Sequence, residues 1–223
     1  MRKIIFTILI FISLFSQGQT TFLLEASGAT HGATGTFSTW TNTASAIFSA
    51  AYKTGFKQAT TIASTTIAVA NGSATDATCF AQFISPALNA QTISGTVTSY
   101  IRASIANATG ATTQACLKIT VISRSGSVLA TLLAITGNGG NLTTTLTSYQ
   151  VANAVALSSY ACANGDRLCI EYGIKRSVGT TARNGTLSFG SSSATNISSA
   201  GVTTANNPVV TFSGTISFYQ GIN

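Results

Sequence analysis

The sequence predicts an all-β protein, a single antiparallel β-sandwich of about ten strands, jelly-roll-like in topology. Three observations carry that expectation. Short runs of apolar residues alternate with polar ones: between Arg167 and Lys175, Leu168, Ile170, Tyr172 and Ile174 point one way, and Arg167, Cys169, Glu171 and Lys175 the other. Turn signals built from Gly, Asn, Ser and Pro interrupt the chain about every 8–15 residues. No helical stripe is sustained. Ala44 to Lys53 has a helix-compatible composition, but its flanks are Thr-rich and the stripe does not continue.

Taken in order, Thr20–Glu25 is a first short strand, and a Gly/Ala/Thr-rich loop containing His31 leads to Trp40. Thr60–Val69 alternates and closes on Asn71-Gly72-Ser73; Cys79–Ile84 is the next strand, stopped by Pro86, which has no N–H for a ladder. Ile93–Ile105 is long and β-branched. Ala115–Ile122 places Leu117, Ile119 and Val121 on one face, and Ser123-Arg124-Ser125-Gly126 turns it into Val128–Ile135 as a hairpin. Leu146 to Leu157 supplies another strand. Asn164-Gly165-Asp166 is a turn, because Asn and Gly tolerate positive φ and Asp bonds its own backbone; as a two-residue hairpin it would set Cys162 opposite Arg167. Thr186–Gly190 follows, and Pro208–Tyr219 closes the chain as one bent strand or two, kinked at Gly214.

Residues 1–18 read as a cleaved secretory signal peptide: Met1-Arg2-Lys3, an apolar run from Ile4 to Phe15, then Ser16-Gln17-Gly18. The run is shorter than the roughly 20 residues a membrane anchor needs. Residues 19–223 then form the sandwich, secreted, extracellular or at a cell surface, with the periplasm as a further compartment and no membrane association after cleavage. That length suffices for a sizeable core without metals.

Charged residues make up only 7% of the chain and apolar ones 45%, so the surface is mainly hydroxyl and amide. Such a surface suits packing against copies of the same chain. Without Arg2 and Lys3, nine basic residues face four acidic ones, a net charge of +5. Within residues 19–223 only Lys175 and Arg176 are adjacent cations, whereas nucleic-acid binding calls for a dense basic stripe with aromatic partners. No nucleic-acid partner is expected.

Four cysteines in an exported chain, Cys79, Cys116, Cys162 and Cys169, point to two disulfides. Three pairings are open, and Cys79–Cys116 with Cys162–Cys169 is favoured. The absence of a C-x-x-C pair and the single His31 exclude the usual zinc sets. No metal or cofactor is expected.

Catalytic groups are scarce. A hydrolase triad needs a base oriented by a third group, and His31 lies in a Gly-rich loop without a G-x-S-x-G elbow. The carboxylates number four: Glu25, Asp76, Asp166 and Glu171. Asp166 belongs to its turn, and Glu171 reads as a solvated partner of Arg167 or Lys175, so paired-carboxylate chemistry is not expected. Exposed aromatics would serve a glycan platform. Trp40, Tyr52, Tyr100, Tyr149, Tyr160, Tyr172 and Tyr219 are the candidates; Trp40 and Tyr149 lie nearest to loops, while Tyr172 belongs to the core face.

The run Leu117–Ile135, followed by Gly165–Gly173, Leu187-Ser-Phe-Gly190 and Asn207–Ser213, resembles a loose group of phage and metagenomic structural proteins. That resemblance implies a secreted or virion-associated β-sandwich with no assigned activity. The chain departs from the group in its signal peptide, its four cysteines and the Val209-Val210 pair. The spacing from Leu157 to the Gly-Asp turn and the strand after it is also similar to C1q/TNF-type jelly rolls. Together these readings predict an exported, non-enzymatic structural or surface-assembly protein, such as a coat, appendage or filament subunit. A carbohydrate-binding or adhesion module and a phage-derived decoration protein are the alternatives. The expected partners are copies of the chain and surface glycans.

Overall fold

The protein's computed structural model describes residues 18–23, 40, 42–43, 52–53, 62–71, 77–108, 112–178, 183–191, 195–204 and 206–219. Residues 1–17 of the expected signal peptide and His31 lie outside them. Fourteen strands run through the described residues, which contain no helix. They are β1 (Thr20–Leu23), β2 (Asn42–Thr43), β3 (Tyr52–Lys53), β4 (Ile62–Asn71), β5 (Ala77–Ile84), β6 (Gln91–Ile93) and β7 (Thr96–Ile105). After these come β8 (Thr112–Ile122), β9 (Val128–Gly137), β10 (Thr147–Ala156), β11 (Tyr160–Cys162), β12 (Arg167–Val178), β13 (Arg183–Ser191) and β14 (Val209–Phe212).

Two sheets form the sandwich. One contains β4-β13-β7-β10, with β14 and then β1 paired alongside the other half of β7; the second contains β5-β12-β8-β9. The four-strand sets interleave in sequence and all their pairings are antiparallel, which is the eight-stranded jelly roll. The short β2 and β3 pair parallel with the edge of β5, and β6 pairs with β11 in a separate two-stranded ribbon.

The core forms where the alternating faces meet. Leu117, Ile119, Leu168, Ile170, Tyr172 and Ile174 from one sheet pack against Val97, Ile101, Leu187, Phe189, Val210 and Phe212 from the other, all buried. Phe83, Tyr172 and Phe189 meet edge-on or tilted, with ring centroids 5.0–6.2 Å apart, the geometry that π-quadrupoles favour. One polar pin crosses the core: the hydroxyls of Tyr172 and Ser99 bond to each other. That bond satisfies a phenol with no access to water.

Turn chemistry explains the joints. Gly126 at φ 87° and the Ser127 N–H to Ser123 Oγ bond close the predicted β8–β9 hairpin. The expected Ile93–Ile105 strand is divided by Gly95, at φ 89°, into β6 and β7. Asn164-Gly165 turns the chain as expected, with Gly165 at φ 94° and Asp166 Oδ2 accepting from Ala163 N at 2.8 Å. It is not a hairpin, however. The strand before it, β11, pairs with β6, and the strand after it, β12, enters the sheet between β5 and β8.

Candidate functional site

In its middle, from Cys169 to Gly173, the side of β12 that faces away from the core is as buried as the side that faces it. Cys169 and Glu171 have no exposed surface, and their neighbours Gln82, Cys116, Lys118 and Thr120 are buried as well. Register dictates the groups that meet there. Glu171 stands opposite Gln82 of β5 and Lys118 of β8, and two residues on, Gly173 stands opposite Cys79 and Cys116. Trp40 lies over Gly173, where any side chain would collide with the indole and with the backbone of β5.

Three donors converge on the Glu171 carboxylate. Lys118 Nζ lies 3.2 Å from Oε2, the Trp40 indole N–H donates to Oε2 at 3.0 Å, and Gln82 Nε2 donates to Oε1 at 2.9 Å. This replaces the solvated pairing with Arg167 or Lys175 that the sequence suggested. Alternation assigns Glu171 to the right face but cannot show that the face is covered. Arg167 instead donates to Ser85 O at 3.0 Å, and the Lys175 side chain is exposed. A carboxylate enclosed by three donors and without exposed surface is out of reach of a substrate; its arrangement fixes three strands and Trp40 to one another.

The four cysteines are free, which corrects the expected disulfides. Cys79 and Cys116 sit on the two strands that flank β12, about 9.5 Å apart at two strand spacings, beyond the roughly 7 Å that a bridge spans. Cys162 belongs to the core between the sheets, and Cys169 faces the opposite side of β12 beside Ile84 and Ile122. Three of the thiols are held protonated. Burial pushes Cys116 up to about 12 and, with help from Asp166, Cys162 to about 11. Burial and then Glu171 raise Cys79 well above its ordinary value. Thiols so placed are poor nucleophiles and poor metal ligands. Among the described residues, no three His, Cys, Asp or Glu side chains come together.

The two aromatics singled out for glycan stacking are engaged elsewhere. Trp40 is only 5% exposed and committed to Glu171. Tyr149 is half-buried against the core, and its hydroxyl accepts from Thr143 N at 2.8 Å. Among the described residues the exposed aromatic is Tyr219, at 48%. It lines a cleft of about 290 Å³ at one end of the sandwich with Ala87, Arg124, Asn164, Gly165 and Arg167. Arg124 comes from the β8–β9 turn and Arg167 from the first position of β12, and the antiparallel register, Arg167 opposite Ile122, brings both to the same end. Sequence reading treated these arginines as scattered, and only the pairing of β8 with β12 joins them.

The edges of the two sheets differ. On β10, Ser148 exchanges backbone bonds with Val202 and Gly201, and Ala154 is held at φ 47° where the register slips, so the edge is partly covered and bent. On β9, Leu132 O accepts from Ser158 N, while the end from Val128 to Thr131 has β8 as its one strand partner. There Val128 and Leu129 are 40% and 42% exposed. Comparison of the chain with protein-family models and with curated proteins returns no match.

Proposed function

We propose that this is an exported, non-enzymatic structural protein that assembles with copies of itself at a surface, as a coat, appendage or filament subunit. The observation that carries the reading is the free end of β9. Val128 to Gly137 contains no charge and no proline, the two devices by which edge strands usually discourage pairing. Among the described residues, the outer side of Val128–Thr131 has no strand partner for its backbone N–H and C=O groups, and two exposed aliphatic side chains lie beside it. A second copy of the chain is the occupant the surface composition favours: hydroxyl- and amide-rich, 7% charged, and therefore weakly self-repelling for its size. Strand addition would satisfy the edge backbone and cover Val128 and Leu129 together. The small complement of one histidine and four carboxylates in the sequence supports a non-enzymatic role.

Light scattering and negative-stain microscopy of the mature protein over a range of concentrations test this. Association that grows with concentration, and a Leu129→Lys variant that stays monomeric with an unchanged melting temperature, is the expected result. A wild-type chain that remains monomeric at every concentration overturns it.

A further inference from the structure

From the cleft at the end of the sandwich we infer a second, separate capacity: recognition of an acidic saccharide, through a carboxylate-bearing sugar ring. The cleft collects donors and almost nothing to compensate them. Arg124 is exposed and makes no hydrogen bond or ion pair among the described residues. Arg167 spends one Nη1 donor on Ser85 O, leaving the rest of its fork. Asn164 uses its Oδ1 to accept from Ala90 N at 2.6 Å, so its amide N–H groups stay available. The nearest carboxylate in sequence, Asp166, does not line the cleft; it is buried and holds the Ala163 N–H. Two guanidinium groups facing one cavity, with no acid between them among the described residues, repel each other, and a bound anion relieves that repulsion.

The shape of the donor set narrows the class. Guanidinium forks match planar carboxylates in bidentate geometry. Tyr219 is anchored by its backbone, N–H to Ala87 O at 2.7 Å, and leaves its ring half-exposed beside the arginines, a flat apolar face of the kind that sugar rings stack on. A cleft of about 290 Å³ is near the lower limit of about 300 Å³ for small-molecule sites, so it suits a ring or two presented from a longer chain. A ring face and a carboxylate side by side describe a uronic-acid-type sugar better than an acidic peptide, which offers no rigid ring to the phenol.

Titration calorimetry of the mature protein with an oligogalacturonate, its neutral methyl ester, inorganic sulfate and a polyglutamate peptide tests the assignment. Expected is binding of the oligogalacturonate alone, lost by at least about tenfold in Arg124→Gln, which removes a charge-assisted pair, and weakened severalfold in Tyr219→Ala. Both residues are exposed, so melting temperatures of the variants should match the wild type and separate loss of binding from loss of fold. Equal binding of sulfate or polyglutamate overturns the saccharide assignment. So does undiminished affinity in Arg124→Gln, or no binding of any probe at millimolar concentration. Monomeric Leu129→Lys protein should bind as the wild type does, so this inference and the assembly reading stand or fall separately.

Discussion

A carboxylate removed from water keeps its charge only where donors replace the lost hydration. At Glu171 those donors come from three places: Lys118, Gln82 and Trp40. Removing one member therefore costs more than the pair contributes. Glu171→Leu leaves the Lys118 ammonium without its carboxylate, and Lys118→Met leaves the carboxylate without its cation; each should lower stability by about 3–5 kcal/mol. The double replacement should cost clearly less than either single change, because it removes both charges and leaves apolar volume. Urea unfolding of the four proteins measures this. Single costs that merely add in the double variant would show that the two groups do not act as a pair.

At the scale of elements, Gly173 is the point on which the covered face of β12 depends. A Cβ there would come within 2.2 Å of Thr78 O and 2.7 Å of the Trp40 ring. The carbonyl belongs to the β5 backbone and cannot swing aside as a side-chain tip can. Gly173→Ala should thus part β12 from β5 and displace Trp40, costing about 1–3 kcal/mol as overpacking does, with a change in tryptophan fluorescence as a second readout. An unshifted urea midpoint would show that Trp40 does not rest on this glycine.

The same element shows what was legible beforehand. The alternation of Leu168, Ile170, Tyr172 and Ile174 identified the inward face correctly, because a period of two follows from the pleat itself. Turn residues located most joints for the same local reason. Alternation names a face but not its cover, so Glu171 read as solvated when it is buried. Turn chemistry reverses a chain without choosing its next neighbour, so the Asn164-Gly165 hairpin proved to be a passage between sheets. The two-residue β2 and β3 are too short to carry any period. The cleft was invisible because its members, from Ala87 to Tyr219, are joined by topology alone.

For the molecule as a whole, the free thiols make stability depend on alkaline pH in a way that a disulfide-bonded chain would not. Cysteine in the unfolded chain titrates near 9.0, whereas in the fold Cys162 titrates at about 11, Cys116 at about 12, and Cys79 is also raised. Tyr172, buried, is shifted in the same direction. Above about pH 9 the unfolded chain therefore releases protons that the folded chain retains. The native state binds more protons there, and stability must fall as pH rises. The thiol contribution is complete below about pH 9 and is lost progressively as pH climbs through the folded values of about 11 and 12. By pH 10 Cys116 and Cys162 should each account for a loss of about 1 kcal/mol relative to neutral pH. Urea midpoints measured at steps between about pH 8 and 10.5 should decline steadily, and a thiol-reactive dye should titrate four groups in denaturant but almost none in the native state. A flat profile, or fewer than four thiols in the unfolded chain, would mean that the cysteines are bridged, and the two sheets would then owe part of their union to covalent bonds rather than to packing.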